Sequence, residues 1–165
     1  HTQRRRQRQM CIRDSAMAGA FGIVCSSDLV LSMSNARFAL TETRLGLSPA
    51  QIAPYVINRL GFSNARKLIL LGFSIDGNQA YDIGLTDYLS KTKEEFIETL
   101  NSIKRQVNQC APHALTLTKN IIRPRNEIDI DFSAKIFAEC IQSEEGKEGI
   151  KSFFEKKKPY WAVRS

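Results

Sequence analysis

The chain has 165 residues, of which 42% are hydrophobic and 25% charged, a composition that fits one globular domain and excludes disordered, collagenous and coiled-coil classes. Its formal net charge is +7, but residues 1–15 carry five arginines against Asp14 and contribute +4, which leaves +3 for the remainder. Four widely spaced cysteines without a CxxC pair, and only two histidines, indicate neither a zinc site nor a disulfide framework. We therefore expect a metal-free protein of the reducing cytoplasm.

Residues 1–14 show neither the helical nor the strand hydrophobic period, and the composition changes abruptly at Ser15 to the uncharged run SAMAGAFGIVCSS. Asp14 and the absence of a small-x-small cleavage site argue against a secretory signal, and thirteen uncharged positions are too few for a membrane span. A nucleic-acid-binding arm would need interleaved aromatic residues, which are absent. We interpret residues 1–14 as a foreign, artefactual leader that supplies no strand and no apolar core, and we expect neither a membrane nor a nucleic-acid partner.

The middle of the chain reads as an α/β unit. A helix is predicted from Ala16, followed by buried strands at 29–33 and 37–41 with the turn Ser34-Asn35 between them. Three short helices follow, each ending at a glycine that suits a left-handed cap. They cover residues 49–60, 64–71 and 76–83 and end at Gly61, Gly72 and Gly84.

The last part of the chain reads as a helical block. A short strand at 85–89 precedes four helices at 93–110, 112–122, 128–142 and 144–157. Apolar residues recur at spacings of three and four on the third of these helices, so this stripe suits a core or another subunit: Ile130, Ala134, Phe137, Ala138 and Ile141. We predict an α/β core over residues 15–111 and a helical oligomerisation region over residues 112–165.

Two features have the residue types needed for chemistry on a carbonyl group. The run Ala18–Gly22 begins a helix, and first-turn N–H groups bind a developing oxyanion or a phosphate, although small residues there also permit close helix packing. Glu42 ends a strand beside a glycine-bearing turn, where desolvation favours proton transfer. A solvated glutamate, or an ion pair with Arg37 or Arg44, is the alternative.

Three segments carry a resemblance to a known family: AGAFGIVCSSDLVLSMSNARFALTETRLGLSPAQIAPYV, LGFSNARKLILLGFSIDGNQAYDIGLTDYL and SEEGKEGIKSFFEKKKP. In this order and spacing they resemble the crotonase superfamily of enoyl-CoA hydratases and isomerases, over nearly all of residues 16–161. The resemblance implies a crotonase-like ββα spiral followed by helices that pack homotrimers, often assembled into hexamers. It also implies an acyl-CoA substrate and no cofactor beyond the coenzyme A that the substrate carries.

The resemblance assigns roles to five residues. Gly19 is similar to the family's second oxyanion-hole donor, and Glu42 to its catalytic glutamate. Gly22 stands where well-known hydratases carry a second glutamate, and we place it in the substrate-binding region. Phe137 and Lys156 are similar to residues that contact the adenine and a phosphate of coenzyme A. The pattern SPAQIAPYV resembles hydratases of methylglutaconyl-CoA and isohexenylglutaconyl-CoA.

In the family, residues before the glycine-rich helix supply the first oxyanion N–H and much of the coenzyme A pocket. Residues 1–14 do not match them, so we expect the C-terminal part of such an enzyme. Three functions stay open at this point. The first is hydration of a 2-enoyl-CoA, the second is double-bond isomerisation with Glu42 as the sole proton shuttle, and the third is an inactive fragment or basic-headed binding module.

Overall fold

A computed structural model describes residues 9–122 and 130–162, and the chain divides into two compact units, Arg8–Leu100 and Asn101–Ser165. The strands are β1 (Gln9–Ile12), β2 (Ser15–Met17), β3 (Leu29–Met33), β4 (Arg37–Ala39), β5 (Ser74–Asp76) and β6 (Tyr88–Ser90). The helices are α1 (Gly19–Cys25), α2 (Ala53–Leu71), α3 (Gly77–Asp82), α4 (Lys93–Asn108), α5 (Pro112–Ile121), α6 (Ile130–Gln142) and α7 (Glu144–Phe154). Short 3₁₀ turns cover Glu42–Leu45 and Tyr160–Ala162. No described helix is both long enough and apolar enough to cross a membrane.

The first unit contains two three-stranded sheets around an apolar core. One sheet is parallel in the order β1-β3-β6, and the other has the order β2-β4-β5 with β5 antiparallel to β4. Side chains of both sheets and of the first three helices meet in this core, with Phe21, Val30, Phe38 and Val56 fully buried. The α/β expectation for this part of the chain is therefore confirmed.

Strand β1 overturns one expectation about the leader. Its residues pair in parallel with β3 from Gln9 opposite Leu29 to Ile12 opposite Ser32, and Ile12 is only 6% exposed. Residues 9–12 therefore supply both a strand and part of the apolar core, so the expectation that residues 1–14 supply neither is wrong. The sequence signal is weak because a strand of four residues is too short to show a period, and its partner lies well along the chain.

Several further boundaries differ from the predicted ones: β4 ends at Ala39 instead of residue 41, α2 begins at Ala53 instead of residue 49, and α4 and α7 end at Asn108 and Phe154 instead of residues 110 and 157. The predicted helix from Ala16 is preceded by β2, so helical structure begins at Gly19. The predicted strand at 85–89 begins only at Tyr88, because the N–H groups of Leu85 and Thr86 both donate to Ala80 O and complete the end of α3.

The three glycines that were predicted to end helices all have a positive φ angle. Gly72 is left-handed with φ 58° and ψ 26°, and Gly84 has φ 77°. Gly61 has φ 70° and ψ 162°, a non-helical backbone that divides the stretch Ala53–Leu71 into two helices at a kink, so the predicted helix end at Gly61 is confirmed. A residue with a Cβ is strained at such φ values, which is why glycine marks them in the sequence.

An arginine network joins α2 to the parallel sheet. Arg59 donates to Ser27 O and Gly84 O, each at 3.2 Å, and its Nη2 lies 2.6 Å from Asp87 Oδ2. The same carboxylate oxygen accepts from the Val30 N–H at 2.7 Å. Because one cation binds two carbonyls and one carboxylate, the helix is held against the segments that precede β3 and β6.

The second unit packs α5, α6 and α7 against one another. The described residues of the predicted apolar stripe on α6 are exposed here, with Phe137 at 67%, and the residue that is buried is Ile136. The interpretation that this stripe docks on the chain's own core is therefore wrong. Docking on another subunit stays a prediction. Residue range 128–129, where this helix was predicted to begin, lies outside the described residues.

Candidate active site

Two predicted site residues, Gly19 and Glu42, follow the carboxyl ends of β2 and β4. These strands are parallel neighbours, with Ala16 opposite Phe38 and Met17 opposite Ala39. Gly19 follows the end of β2 and Glu42 follows the end of β4, so both emerge from the carboxyl ends of paired strands. Residues that follow the carboxyl ends of neighbouring parallel strands lie at the same end of the sheet.

The turn between β2 and α1 holds a strained backbone. Ala18 has φ 49° and ψ −121°, which a residue with a Cβ rarely adopts, and its N–H donates to Ala39 O at 3.1 Å. Strain of this kind persists only where the surrounding contacts impose it. Here it turns the chain sharply from the strand into the helix.

Gly19 is the first residue of α1 and is exposed. The first hydrogen bonds of the helix are donated by Phe21 and Gly22 to Ala18 O, so the Gly19 N–H precedes them and has no acceptor within the helix. A Cβ at Gly19 would meet no atom within 4 Å. The position therefore combines an N–H donor with open space in front of it, as an oxyanion donor requires.

Glu42 begins the 3₁₀ turn and is partly buried. Its Oε2 is buried and has no hydrogen-bond partner among the described residues, and no ion pair there joins it to Arg37 or Arg44. A buried carboxylate oxygen without a donor is costly, and a reacting group or water would satisfy it. The interpretation of Glu42 as an ion-pair partner of Arg37 or Arg44 is therefore wrong for the described residues, and the Arg44 Nε–H donates instead to Leu71 O at 3.3 Å.

Gly22 is buried one turn after Gly19 and packs against Ile52, the residue that precedes α2. A Cβ at Gly22 would lie 2.5 Å from Ile52 Cγ2 and 3.0 Å from Ile52 Cβ. No side chain fits there without movement of Ile52, so an apolar group fills the space beside α1. The close-packing interpretation of the glycine-rich run is thus confirmed for Gly22, and its place in the substrate-binding region stays a prediction.

The other two predicted residues lie in the helical unit. Phe137 is on the exposed stripe of α6. Lys156 is exposed just beyond α7 and has φ 54°, and the N–H groups of Lys156 and Lys157 donate to Phe153 O and Ser152 O. These two bonds form a Schellman cap with a lysine at the left-handed position that glycine usually takes.

Sequence reasoning missed Ala18 and Ile52. Alanine is not a residue type that indicates a positive φ, so the sequence does not predict the conformation of Ala18. Ile52 is separated from Gly22 by thirty residues, and nothing in its spacing indicates the contact. No group of three or more His, Cys, Asp and Glu within residues 9–122 and 130–162 is arranged to hold a metal ion.

Comparison with solved structures gives the class of protein. A crystal structure of an enoyl-CoA hydratase/isomerase from Marinobacter aquaeolei has a TM-score of 0.88 and 36% identity, covering 93% of this chain and 60% of that chain. AtuE of Pseudomonas aeruginosa also has a TM-score of 0.88, with 34% identity, covering 93% of this chain and 61% of that one. The predicted crotonase fold is therefore confirmed.

The family follows from the sequence. The family model described as enoyl-CoA hydratase/isomerase matches residues 11–164, and this chain belongs to that family. A curated relative, the short-chain-enoyl-CoA hydratase of Clostridium acetobutylicum, is 32% identical over 148 residues, which are 87% of this chain and 56% of that protein. The chain spans 56% to 60% of the length of three such relatives.

Proposed function

We propose that this chain carries the proton-transfer centre of an enoyl-CoA hydratase, which adds water across the double bond of a 2-enoyl-CoA. The observation that carries the proposal is that two groups follow the carboxyl ends of the paired strands β2 and β4. These are the Gly19 N–H at the start of α1 and the Glu42 carboxylate, one oxygen of which is buried without a hydrogen-bond partner among the described residues. The family membership and the relative named a short-chain-enoyl-CoA hydratase support the same reaction.

In this mechanism Glu42 accepts a proton from water while the water oxygen attacks C3 of the enoyl group. Negative charge then develops on the thioester oxygen, and the Gly19 N–H donates a hydrogen bond to it. Glu42 then gives the proton that it took from water to C2, which completes the addition and regenerates the carboxylate, so the elements of one water molecule are added and none is lost.

Phe137 and Lys156 are proposed to contact coenzyme A, an aromatic face near the adenine and a cation near a phosphate. Both side chains are exposed, as ligand contacts must be in the free protein. A homotrimer or hexamer is the proposed assembly, supported by the exposed apolar residues of the helical unit: Ile130, Phe137, Ile141, Phe153 and Phe154. The cytoplasm remains the predicted compartment.

One observation favours double-bond isomerisation as a second candidate. Position 22 is a glycine and has no carboxylate, and Ile52 fills the space that a side chain there would need. A single carboxylate that removes a proton at one carbon and returns it at another is enough to move a double bond. Branched, carboxylated enoyl-CoAs are the proposed substrates of either reaction, on the basis of the resemblance of the SPAQIAPYV pattern.

The test compares Glu42→Gln with the control Glu98→Gln, which changes an exposed glutamate on α4. With 2-enoyl and 3-enoyl thioesters as substrates, Glu42→Gln lowers kcat by about a hundredfold or more, whereas the control does not. Hydroxyacyl products identify the hydratase, and exchange between the two enoyl substrates without a hydroxyacyl product identifies the isomerase. Turnover by Glu42→Gln equal to that of the control contradicts both.

A further inference from the structure

The 3₁₀ turn that carries Glu42 is bonded to the end of α2 by two side chains. The Thr43 hydroxyl donates to Ile69 O at 3.1 Å, and the Arg44 Nε–H donates to Leu71 O at 3.3 Å. Both acceptors lie in the last turn of α2, where carbonyls have no N–H partner within the helix. The two bonds therefore satisfy the helix end and hold the turn in place. We call this pair the Thr43–Arg44 clamp.

The absence of a side chain at Gly72 leaves space for the two side chains of the Thr43–Arg44 clamp. A Cβ at Gly72 would lie 3.1 Å from both Arg44 Cγ and Thr43 Oγ1, and 3.2 Å from Leu40 O. The two clamp side chains thus lie directly against the backbone where α2 ends. Gly72 also has φ 58°, so both its conformation and its surroundings require glycine.

The clamp fixes the backbone of Glu42, because the two residues that follow Glu42 carry the bonded side chains. Within the turn, the Leu47 N–H donates to Glu42 O at 2.9 Å. The Glu42 side chain has no comparable anchor at Oε2, which lacks a hydrogen-bond partner among the described residues. No hydrogen bond from the described residues holds the carboxylate at Oε2, so its position depends on the backbone of the turn.

We propose that Thr43 and Arg44 are positioning residues that hold the Glu42 carboxylate at the end of β4. This inference rests on the proposed function, since it matters for turnover only if Glu42 moves a proton. A carboxylate displaced by about 1 Å loses on the order of a hundredfold in rate without any change in how the rest of the substrate is bound. Loss of the clamp thus lowers kcat and leaves KM unchanged.

The experiment compares Thr43→Val and Arg44→Met, singly and together, in the full chain. Thr43→Ser keeps the hydroxyl and restores the bond, and Arg66→Met removes an exposed arginine of α2 that stacks on Phe62 outside the clamp. The rate of amide hydrogen exchange at Leu47 measures how often the hydrogen bond to Glu42 O within the turn opens. The Asp87 N–H, which is bonded to Val30 O at 2.8 Å outside the clamp, is the reference. Values of kcat and KM are measured on the same samples.

In the double variant, Leu47 exchange rises by about tenfold or more while Asp87 exchange is unchanged, and kcat falls by about tenfold to a hundredfold with KM within about twofold. Thr43→Ser and Arg66→Met behave as the unsubstituted chain. Unchanged Leu47 exchange overturns the proposal, as does faster exchange with an unchanged kcat. Glu42→Gln is assayed alongside: if it retains turnover, the proposed function fails, whereas the Leu47 exchange still decides whether the clamp holds the turn.

Discussion

The Ala18 N–H donates a hydrogen bond to the Ala39 carbonyl across 3.1 Å, and this bond closes the ladder between β2 and β4 at the point where both strands end. Beyond it, one chain enters α1 at Gly19 and the other enters the 3₁₀ turn at Glu42. A single backbone contact therefore lies between the proposed oxyanion donor and the proposed proton carrier. The strained φ of Ala18 is part of this contact.

Substitution of Ala18 tests the strain directly. A β-branched side chain is still less compatible with φ 49° than alanine, so Ala18→Val lowers the free energy of unfolding by about 1–3 kcal/mol. Ala18→Gly relieves the strain and is at least as stable as the unsubstituted chain, because the relief offsets the extra freedom of glycine when unfolded. Urea denaturation of both variants measures the difference. Equal stability of the valine and glycine variants contradicts this account.

The contact between Gly22 and Ile52 predicts a coupled pair of substitutions. Gly22→Ala lowers the free energy of unfolding by about 1–3 kcal/mol, because the new Cβ meets Ile52 Cγ2. Ile52→Ala removes this carbon and should reduce the cost of Gly22→Ala, whereas Ile52→Val retains Cγ2 and should not. A double-mutant cycle by denaturation measures the coupling, and additive effects in both pairs would show that the two residues do not interact.

Two substitutions of Lys156 distinguish its effect on stability from its effect on ligand binding. Its left-handed backbone costs about 1–2 kcal/mol, and glycine loses about 0.5–1 kcal/mol through its flexibility, so Lys156→Gly raises the free energy of unfolding by about 0.5–1 kcal/mol. The same change removes the proposed phosphate contact and weakens coenzyme A binding by about tenfold. Lys156→Met weakens binding equally but gives no gain in stability. Thermal denaturation and calorimetric titration with coenzyme A measure both quantities.

Cys25 predicts a loss of stability at high pH. Burial disfavours the thiolate and raises the pKa of Cys25 from 9.0 to about 12, against the smaller opposing effect of the Arg59 charge. The unfolded chain gives up this proton first, so the contribution of Cys25 is complete below pH 9.0 and declines as the pH rises towards 12.

The check is denaturation of the unsubstituted chain and of Cys25→Ala at a series of pH values. The difference between their free energies of unfolding stays constant up to about pH 8 and then shrinks by at most about 1.4 kcal/mol per pH unit. A difference that stays constant to about pH 10.5 would mean that the native thiol titrates as it does in the unfolded chain.

Much of the fold was predictable from local signals. Gly72 and Gly84 end their helices because a left-handed φ favours a residue without a Cβ, and this preference is visible at a single position. Strand β3 and the start of β4 were likewise placed correctly, since their apolar runs are bounded by turn residues. Glu42 and Gly19 were identified by their positions at element ends together with the family resemblance.

Long-range contacts decided the rest. Residues 9–12 form a strand because β3 offers them a pairing edge, and Ile52 lies against Gly22 because α1 and α2 pack together. The inner face of α6 is set in the same way: both sides of this helix carry apolar residues, and packing in the helical unit buries Ile136 while Phe137 stays exposed. Caps, turns and periods depend on neighbouring residues and are readable in the sequence. Pairing, close approach and burial depend on residues far along the chain, and only the tertiary structure specifies which of them meet.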